Sequence, residues 1–472
     1  MGFCHGDFPS TYWIIQQNNK MNTITKKMND NPAYRWTVLV LIASMMFFAY
    51  MFVDVMSPLK SLIENQRGWT SSTFGTYAAS EYILNVCGFL ILAGIILDKM
   101  GTRFTGILSA SLMVIGAFVK LIGISDWFQA TEFAAWLDTW WVSLPASAKM
   151  ASFGFMIFGC GCEMAGTTVS KAIAKWFKGK EMALAMGLEM AIARLGVFAV
   201  MWISPLIIEH INPSIIVPVG FCTTLLLIGL INFCVFSVMD KKFDNQLAAL
   251  GELTDEGGEE EFKMSDLGKI FSSKMFWIVA LLCVLYYSAI FPFQRYAPNF
   301  LETTLNVDAS TGAQLFSFFP ILAMVLTPFL GSFLDHKGKG ATMLFAGAII
   351  MVACHLSFAF LLPLFPYKWL AVSLIAVLGV SFSLVPAALW PSVPKIIDEK
   401  VLGSAYCLIF WIQNIGLCFV PKIIGNVLEA TGGYTAPMII FSSFGVLAFL
   451  FTILLKIEDK KNGYGLEEPN IQ

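Results

Sequence analysis

Charge is what this 472-residue chain has least of. Charged residues make up 13% of it, about half the share of an ordinary soluble domain, whereas hydrophobic residues reach 57% and mean hydropathy is +0.71. One soluble core cannot hide that much apolar surface, so an ordinary soluble enzyme is excluded. A basic excess is missing too. Thirty Lys and Arg stand against 32 Asp and Glu, a net of −2, which excludes a broadly basic nucleic-acid binder. There are 10 cysteines but no CxxC, and nearly all lie in apolar runs, where a free thiol behaves as a small hydrophobe.

The usual catalytic signatures are also missing. No phosphate-binding GxxxxGK[ST], HExxH or GxSxG occurs, so ATP hydrolysis, zinc proteolysis and serine hydrolysis have no residues to carry them. The protein is expected not to be an enzyme and to need neither cofactor nor metal. His355 stands alone in an apolar stretch and reads as a hydrogen-bonded core histidine. Asn212-Pro213-Ser214 is blocked as a glycosylation site by its proline. Residues 1–34 lack the apolar core of a signal peptide, and the first twenty fit nothing that follows, so Met21 is an alternative start.

What the chain does have is long apolar runs. Windows of about 20 residues, enough for a helix to cross the hydrocarbon core, fall at 35–57, 74–97, 104–123, 151–171, 182–206, 215–238, 275–299, 311–334, 342–363, 369–390, 403–426 and 434–456. The runs are continuous rather than alternating, which favours helices over a β-barrel. The expectation is an all-α membrane protein with twelve transmembrane helices, its partners being the lipid bilayer and a small-molecule substrate. Most of the 30 Lys and Arg, including Arg35, Lys99, Arg103, Lys175, Lys241, Lys337 and Lys456, fall in the loops that share a side with both termini. That bias predicts cytoplasmic termini.

The polar stretch 239–274, with the acidic run Glu259-Glu260-Glu261, reads as a linker. It divides the chain into a tail (1–34), a six-helix half (35–238), a second six-helix half (275–456) and a C-terminal tail (457–472). Segment 125–149 is rich in aromatics. Phe133, Trp136, Leu137, Trp140 and Trp141 fall on one helical face. They predict a short amphipathic helix at the outer membrane interface, or a lid over a cavity mouth.

The two halves share a loop pattern. Gly94, Asp98, Gly101 and Arg103 follow the second span, and Gly331, Asp335 and Gly338 follow the eighth, with the same Gly–Asp–Gly spacing. The glycines would allow a tight turn and close helix approach. The carboxylate would meet a helix N-terminus or a loop cation, forming a latch that shuts the cytoplasmic side in one state. This pattern resembles the major facilitator superfamily over roughly residues 35–456, with His336 standing where that family usually has a basic Arg or Lys. The resemblance implies two parallel six-helix halves around a central cavity, worked by alternating access.

Longer stretches narrow the resemblance. Gly161-Cys162-Glu163, Trp176-Phe177-Lys178-Gly179-Lys180-Glu181, Ala193-Arg194-Leu195-Gly196, Tyr286-Tyr287 with Phe291-Pro292-Phe293, Ala388-Leu389-Trp390-Pro391 and Ile412-Gln413-Asn414-Ile415-Gly416 are similar to a branch of lysosomal dipeptide uniporters and their prokaryotic relatives. In that branch a Glu of the fourth span and an Arg of the fifth recognise the dipeptide. Those roles map here to Glu163 and Arg194. Departures are the Trp-rich segment, Glu189 in place of a neutral amide, and the basic Lys171. With no sequon and no acidic dileucine signal in the N-terminal tail, a bacterial plasma membrane is expected, the lysosomal membrane being the alternative.

An ionisable residue inside a span costs about 2.5–3.5 kcal/mol on the insertion scale, so each needs a reason. Arg194 offers a planar fork for a carboxylate, and Glu163 could receive an ammonium. An ion pair between Arg194 and Glu163 or Glu189 is the structural alternative. Glu189, five residues before Arg194, cannot share its face. Glu81 could pair with a cation, hold a proton or bind an amine. Asp54 stands near the outer end of the first span as a gate candidate, and Arg295 near the outer end of the seventh, where it is expected to snorkel. Tyr286 and Tyr287 lie beside Pro292, a candidate helix break, and are about 100° apart, so one must face away. Trp390, Gln413 and Asn414 complete the substrate candidates. Asn414 corresponds to Arg194 by the half repeat. The expected function is alternating-access transport of dipeptides or similar zwitterions as a uniporter and a monomer. The alternative is a proton-coupled carrier of a small organic anion.

Overall fold

A computed structural model describes residues 27–250, 267–398 and 401–469. Met21 and the acidic run at 259–261 lie outside these residues. Twelve long helices follow in order: α1 (Pro32–Asp54), α2 (Ser71–Leu84), α3 (Leu90–Gly123), α4 (Ala146–Trp176), α5 (Met182–His210), α6 (Ile216–Ala249), α7 (Lys274–Leu305), α8 (Phe318–Lys337), α9 (Gly340–Leu356), α10 (Lys368–Ile396), α11 (Leu402–Thr431) and α12 (Thr435–Asn462). Several ends are set by local chemistry. Asn31 accepts from Ala33 N with Pro32 at the first position of α1, and Thr70 accepts from Thr73 N at the start of α2. Gly432 and Gly463 end α11 and α12 in the left-handed region.

Among the described residues, ten helical stretches are long and apolar enough to cross a membrane. One of them, Ser71–Gly123, has 53 residues. At 1.5 Å per residue that is about 80 Å, against a hydrocarbon core of about 30 Å. Gly101 resolves the excess. Its φ of 73° and ψ of 173° break the stretch, so α2 with the start of α3 makes one span and the rest of α3 the next. Gly338 does the same at the end of α8, at φ 71°. The second glycine of the loop repeat thus turns the chain in both halves.

The remaining span is α4, whose glycines, alanines and serines dilute its hydropathy. Those small residues serve packing. A methyl group added at Gly154 would sit 2.4 Å from Lys120 N and 2.5 Å from Gly116 O, and one at Gly161 would sit 2.5 Å from Ser109 O. α3 and α4 therefore touch backbone to backbone, as helices do where lipid supplies no hydrophobic drive between them.

Helices α1–α6 form one half and α7–α12 the other. The repeat is visible in packing: a methyl at Gly196 of α5 would strike Phe47 O of α1 at 2.3 Å, and one at Gly416 of α11 would strike Ser288 Oγ of α7 at 2.2 Å. The halves meet through α2 against α11 and α5 against α8.

Several sequence expectations are corrected. α7 runs unbroken through Pro292 and Pro298. Proline is tolerated there because neighbouring helices re-satisfy the freed backbone groups. α6 continues to Ala249, past the expected start of a linker at 239. Arg103 and Lys175 pair with Asp240 and Asp244 there, and Trp176 Nε1 donates to Asp240 at 2.8 Å. Residues 463–469 fold back: Gly340 N donates to Leu466 O at 3.0 Å, and Leu466 is buried. Segment 125–149 forms two short helices, Asp126–Gln129 and Glu132–Asp138, because Thr131 caps a new start. Trp136 packs on Phe133 and on Trp140, and Trp127, Trp140 and Trp141 are exposed.

The face carrying Asp30, Asp240 and Asp459 is called here the terminal face. Its ion pairs Arg35–Glu181, Lys171–Asp98, Lys175–Asp240, Lys274–Glu458 and Lys456–Glu467 each join two groups of one half. Lys180, 2.5 Å from Asp30, holds that carboxyl below its ordinary value.

The α3–α4 contact yields a stability prediction. Gly154→Val should destabilise the protein by about 1–3 kcal/mol, the usual cost of overpacking, or abolish folding, because backbone atoms cannot yield. Gly166→Ala on the same helix meets open space and should leave thermal unfolding in detergent unchanged. Equal shifts for the two would contradict the packing account.

Candidate functional site

Away from the terminal face the halves are bridged by charge. Arg295 of α7 donates to Asp54 of α1 at 3.0 Å and to Glu81 of α2 at 2.5 Å, and also to the Val53 carbonyl. Gln294 Nε2 donates to the other Asp54 oxygen at 2.6 Å, and Ser57 Oγ to Asp54 at 3.2 Å. Asp54 is fully buried, and Glu81 and Arg295 nearly so. Arg295 was expected to snorkel to the interface. It is instead the centre of an inter-half triad, because two carboxylates of the facing half offer its guanidinium what water would. Further bridges lie on this side: Asn299 Nδ2 to Ser61 Oγ at 2.8 Å, Ser61 Oγ to Glu302 at 2.8 Å, Ser72 Oγ to Asn426 at 2.6 Å and Lys422 Nζ to Ser72 Oγ at 2.7 Å.

A second group of charges is not neutralised in this way. Arg194 of α5 donates to Thr327 Oγ1 of α8 at 3.2 Å and lies 5.6 Å from the centre of the Phe382 ring. Among the described residues it forms no ion pair with Glu163 or Glu189, and neither carboxylate has another ion-pair partner. Tyr50 of α1 lies within electrostatic reach of Glu163, Glu189 and Arg194.

The second half presents an aromatic wall toward Arg194. Phe382 packs edge-on against Tyr287 and Phe291, and Tyr287 stacks on Phe291 at 5.4 Å. Trp390 Nε1 donates to Tyr287 Oη at 3.0 Å and its ring stacks on Phe410 at 4.6 Å, while Tyr406 Oη donates to the Trp390 carbonyl. Tyr286 is not brought to this wall. It is fully buried and its hydroxyl donates to the Leu344 carbonyl of α9 at 2.5 Å, fixing α7 on α9. Gln413 is buried, accepting from Cys283 Sγ at 3.2 Å, and Asn414 donates to the Phe410 carbonyl at 2.9 Å with its Oδ1 unpartnered. His355 is core, but hydrogen-bonded to nothing: both ring nitrogens are without partners, among Phe293, Phe358 and Phe441.

In the first copy of the loop repeat the ion pairs stay within one half. Asp98 pairs with Lys171 of its own half at 3.1 Å, a helix cation rather than a loop one. Arg103 pairs with Asp240 and Asp244. A methyl added at Gly94 or Gly331 would meet nothing, so neither glycine is in close helix contact in this state. Asp335 lies one residue beyond the buried Leu334, near the end of α8.

Sequence reasoning passed over Tyr50, Thr327, Phe382 and Lys120. The first three carry no signal within apolar runs. Lys120 did carry one, since a lone cation inside a span demands an explanation. It is fully buried in α3.

The triad generates a prediction. Arg295→Met takes the guanidinium away from two buried carboxylates and should cost at most about 3–5 kcal/mol of stability. The triple variant Arg295→Met, Asp54→Asn, Glu81→Gln removes all three charges and should regain most of it in thermal unfolding. Losses that simply add would show that the three do not act as a unit.

The comparisons accord with this architecture. The Major Facilitator Superfamily profile matches residues 39–421. The lysosomal dipeptide transporter MFSD1 of Danio rerio is 28% identical over 443 residues, covering 92% of this chain and 89% of that one. The Homo sapiens protein of the same name is 26% identical over 447 residues, covering 92% and 88%. Among solved structures, the nucleoside transporter NupG (D323A mutant) superposes with a TM-score of 0.66 at 13% identity, covering 89% of this chain and 99% of that one. Twelve membrane-crossing helices in two matched halves, a charged bridge between them and a sequence match across most of the chain lead to one conclusion: the protein is a transporter of the Major Facilitator Superfamily, not an enzyme.

Proposed function

We propose that this transporter carries dipeptides or similar small zwitterions by alternating access, without proton coupling. The observation that supports this most is the pair of opposite charges left unneutralised around Tyr50. Arg194 has a hydroxyl and an aromatic face for company, and among the described residues Glu163 has no cation in ion-pair contact. A substrate bearing a carboxylate and an ammonium would satisfy both at once, with charge-assisted hydrogen bonds of about 1.5–3 kcal/mol each. In this reading Glu163 takes the amine, Arg194 the carboxylate, and the wall of Tyr287, Phe382 and Trp390 the side chains. Tyr287 and Trp390 serve as substrate contacts, while Gln413 and Asn414 line or support the wall from α11. Tyr286 has a scaffold role.

Asp54, Glu81 and Arg295 act as the gate of the face away from the termini. Glu81 becomes available to a substrate amine only when Arg295 leaves. In the alternate state Gly94, Asp98, Gly101 and Arg103, with Gly331, Asp335 and Gly338, close the terminal face. The chain is read as a monomer in a bacterial plasma membrane, terminal face cytoplasmic. The relatives named as lysosomal dipeptide transporters support the substrate class.

Uptake of a labelled dipeptide into proteoliposomes tests the reading. It should saturate and ignore an imposed pH gradient. Arg194→Ala should lower it tenfold or more, and Glu163→Gln should raise KM. Peptides blocked at either end should compete poorly. Uptake that follows the pH gradient would favour the proton-coupled anion carrier, and no uptake by folded protein would discard the dipeptide assignment.

A further inference from the structure

Lys120 is the buried charge that this transport scheme leaves unused. It sits near the C-terminal end of α3 with no exposure to solvent, and among the described residues its ammonium has no hydrogen-bond acceptor. Its neighbours are rings: Phe52 at 4.1 Å, Phe155 at 4.8 Å and Tyr77 at 5.1 Å from Nζ to the centroid. Cation–π contact favours an ammonium there, but it does not replace a hydrogen-bonded counter-ion. A side chain needed only for packing would be served better by Met or Leu.

The placement relative to the triad is specific. The Phe155 ring is shared, with the Arg295 guanidinium 5.7 Å from the same centroid. Lys120 is within electrostatic reach of both Glu81 and Asp54. The charged and titratable groups around it are Asp54 on α1, Tyr77 and Glu81 on α2, Cys222 on α6 and Arg295 on α7. Glu163 on α4 and Tyr82 on α2 lie beyond Glu81. Of these groups Lys120 is the cation that belongs to the same half as Asp54 and Glu81. Its backbone is pinned by Gly154, while its four-carbon stem carries several rotatable bonds.

We propose that Lys120 is a stand-in counter-ion. When the halves part at the face away from the termini, Arg295 leaves with the second half. Two carboxylates would then remain in an apolar pocket, and burial of an unpaired charge is resisted strongly enough that such a group takes up a proton instead. Lys120 turns out of its aromatic cage toward Asp54 and Glu81, and no proton is needed. The inference rests on the alternating-access, uncoupled reading above and gives it a physical cause.

The test measures opening directly and without substrate. Spin labels at Asn65 and Ala430, both exposed and in opposite halves, report the distance across this face from pH 5.5 to 8.5, with Cys87 and Cys234 replaced by Ser. The native side chain at 120 should give an open population that does not change with pH. Lys120→Met should make opening require one proton, so that the open population falls up to tenfold per pH unit. Lys120→Arg should restore the flat profile. Lys120→Met with Glu81→Gln, which removes one charge of each sign, should also be flat and serves if the single variant does not fold. A flat profile in Lys120→Met, or a steep one in either the native background or the double variant, would overturn the proposal. Failure of dipeptide uptake would leave these distances unaffected, so the two readings fail separately.

Discussion

One guanidinium between two carboxylates governs how the halves sit. Arg295 of α7 reaches Asp54 and Glu81 on α1 and α2 in a pocket closed to solvent. Ions there have given up their hydration and regain it only from each other, so the triad is favourable when complete and costly when any member is missing. It therefore acts less as a source of stability than as a device that makes partial separation unfavourable. The flanking bridges at Ser61, Ser72 and Lys422 are weaker and partly exposed, and they follow the triad's geometry.

The same logic separates the two charged regions of the first half. In the triad, opposite charges are matched within the protein. Arg194, Glu163 and Glu189, each within electrostatic reach of Tyr50, have no ion-pair partner among the described residues. A matched cluster is a lock. An unmatched one of both signs, beside an aromatic wall of the other half, is what the proposed zwitterionic substrate would complete. The loop repeat adds to this contrast. In its first copy Asp98 and Arg103 pair within the first half, and a methyl at either leading glycine would meet nothing.

Much of the fold was legible because membrane helices obey a simple rule. A backbone in hydrocarbon must satisfy its own hydrogen bonds, so apolar length marks each span. The windows around Leu39, Val197 and Leu447 landed on α1, α5 and α12 for that reason. Gly101 and Gly338 were legible because a left-handed turn needs glycine. Arg295 was misplaced because snorkelling and pairing have the same sequence signature: a cation near a span end. Which one occurs depends on whether another helix brings a carboxylate within 3 Å. Tyr286 and Tyr287 illustrate the same limit. Their separation showed that they diverge, but only the packing of α7 on α9 shows which one meets the Leu344 carbonyl.

The sequence by itself determined an all-helical membrane protein of two repeated halves, with a short set of intramembrane charges that demand explanation. Those conclusions follow from local properties, namely apolar length, repeat spacing and the cost of a charge in lipid. Tertiary structure alone decided which charges meet. Arg295 finds Asp54 and Glu81 across more than 200 residues of chain, Lys120 finds only rings, and Arg194 finds a threonine. Ion pairing depends on distances set by helix packing between distant segments, and no local pattern encodes it.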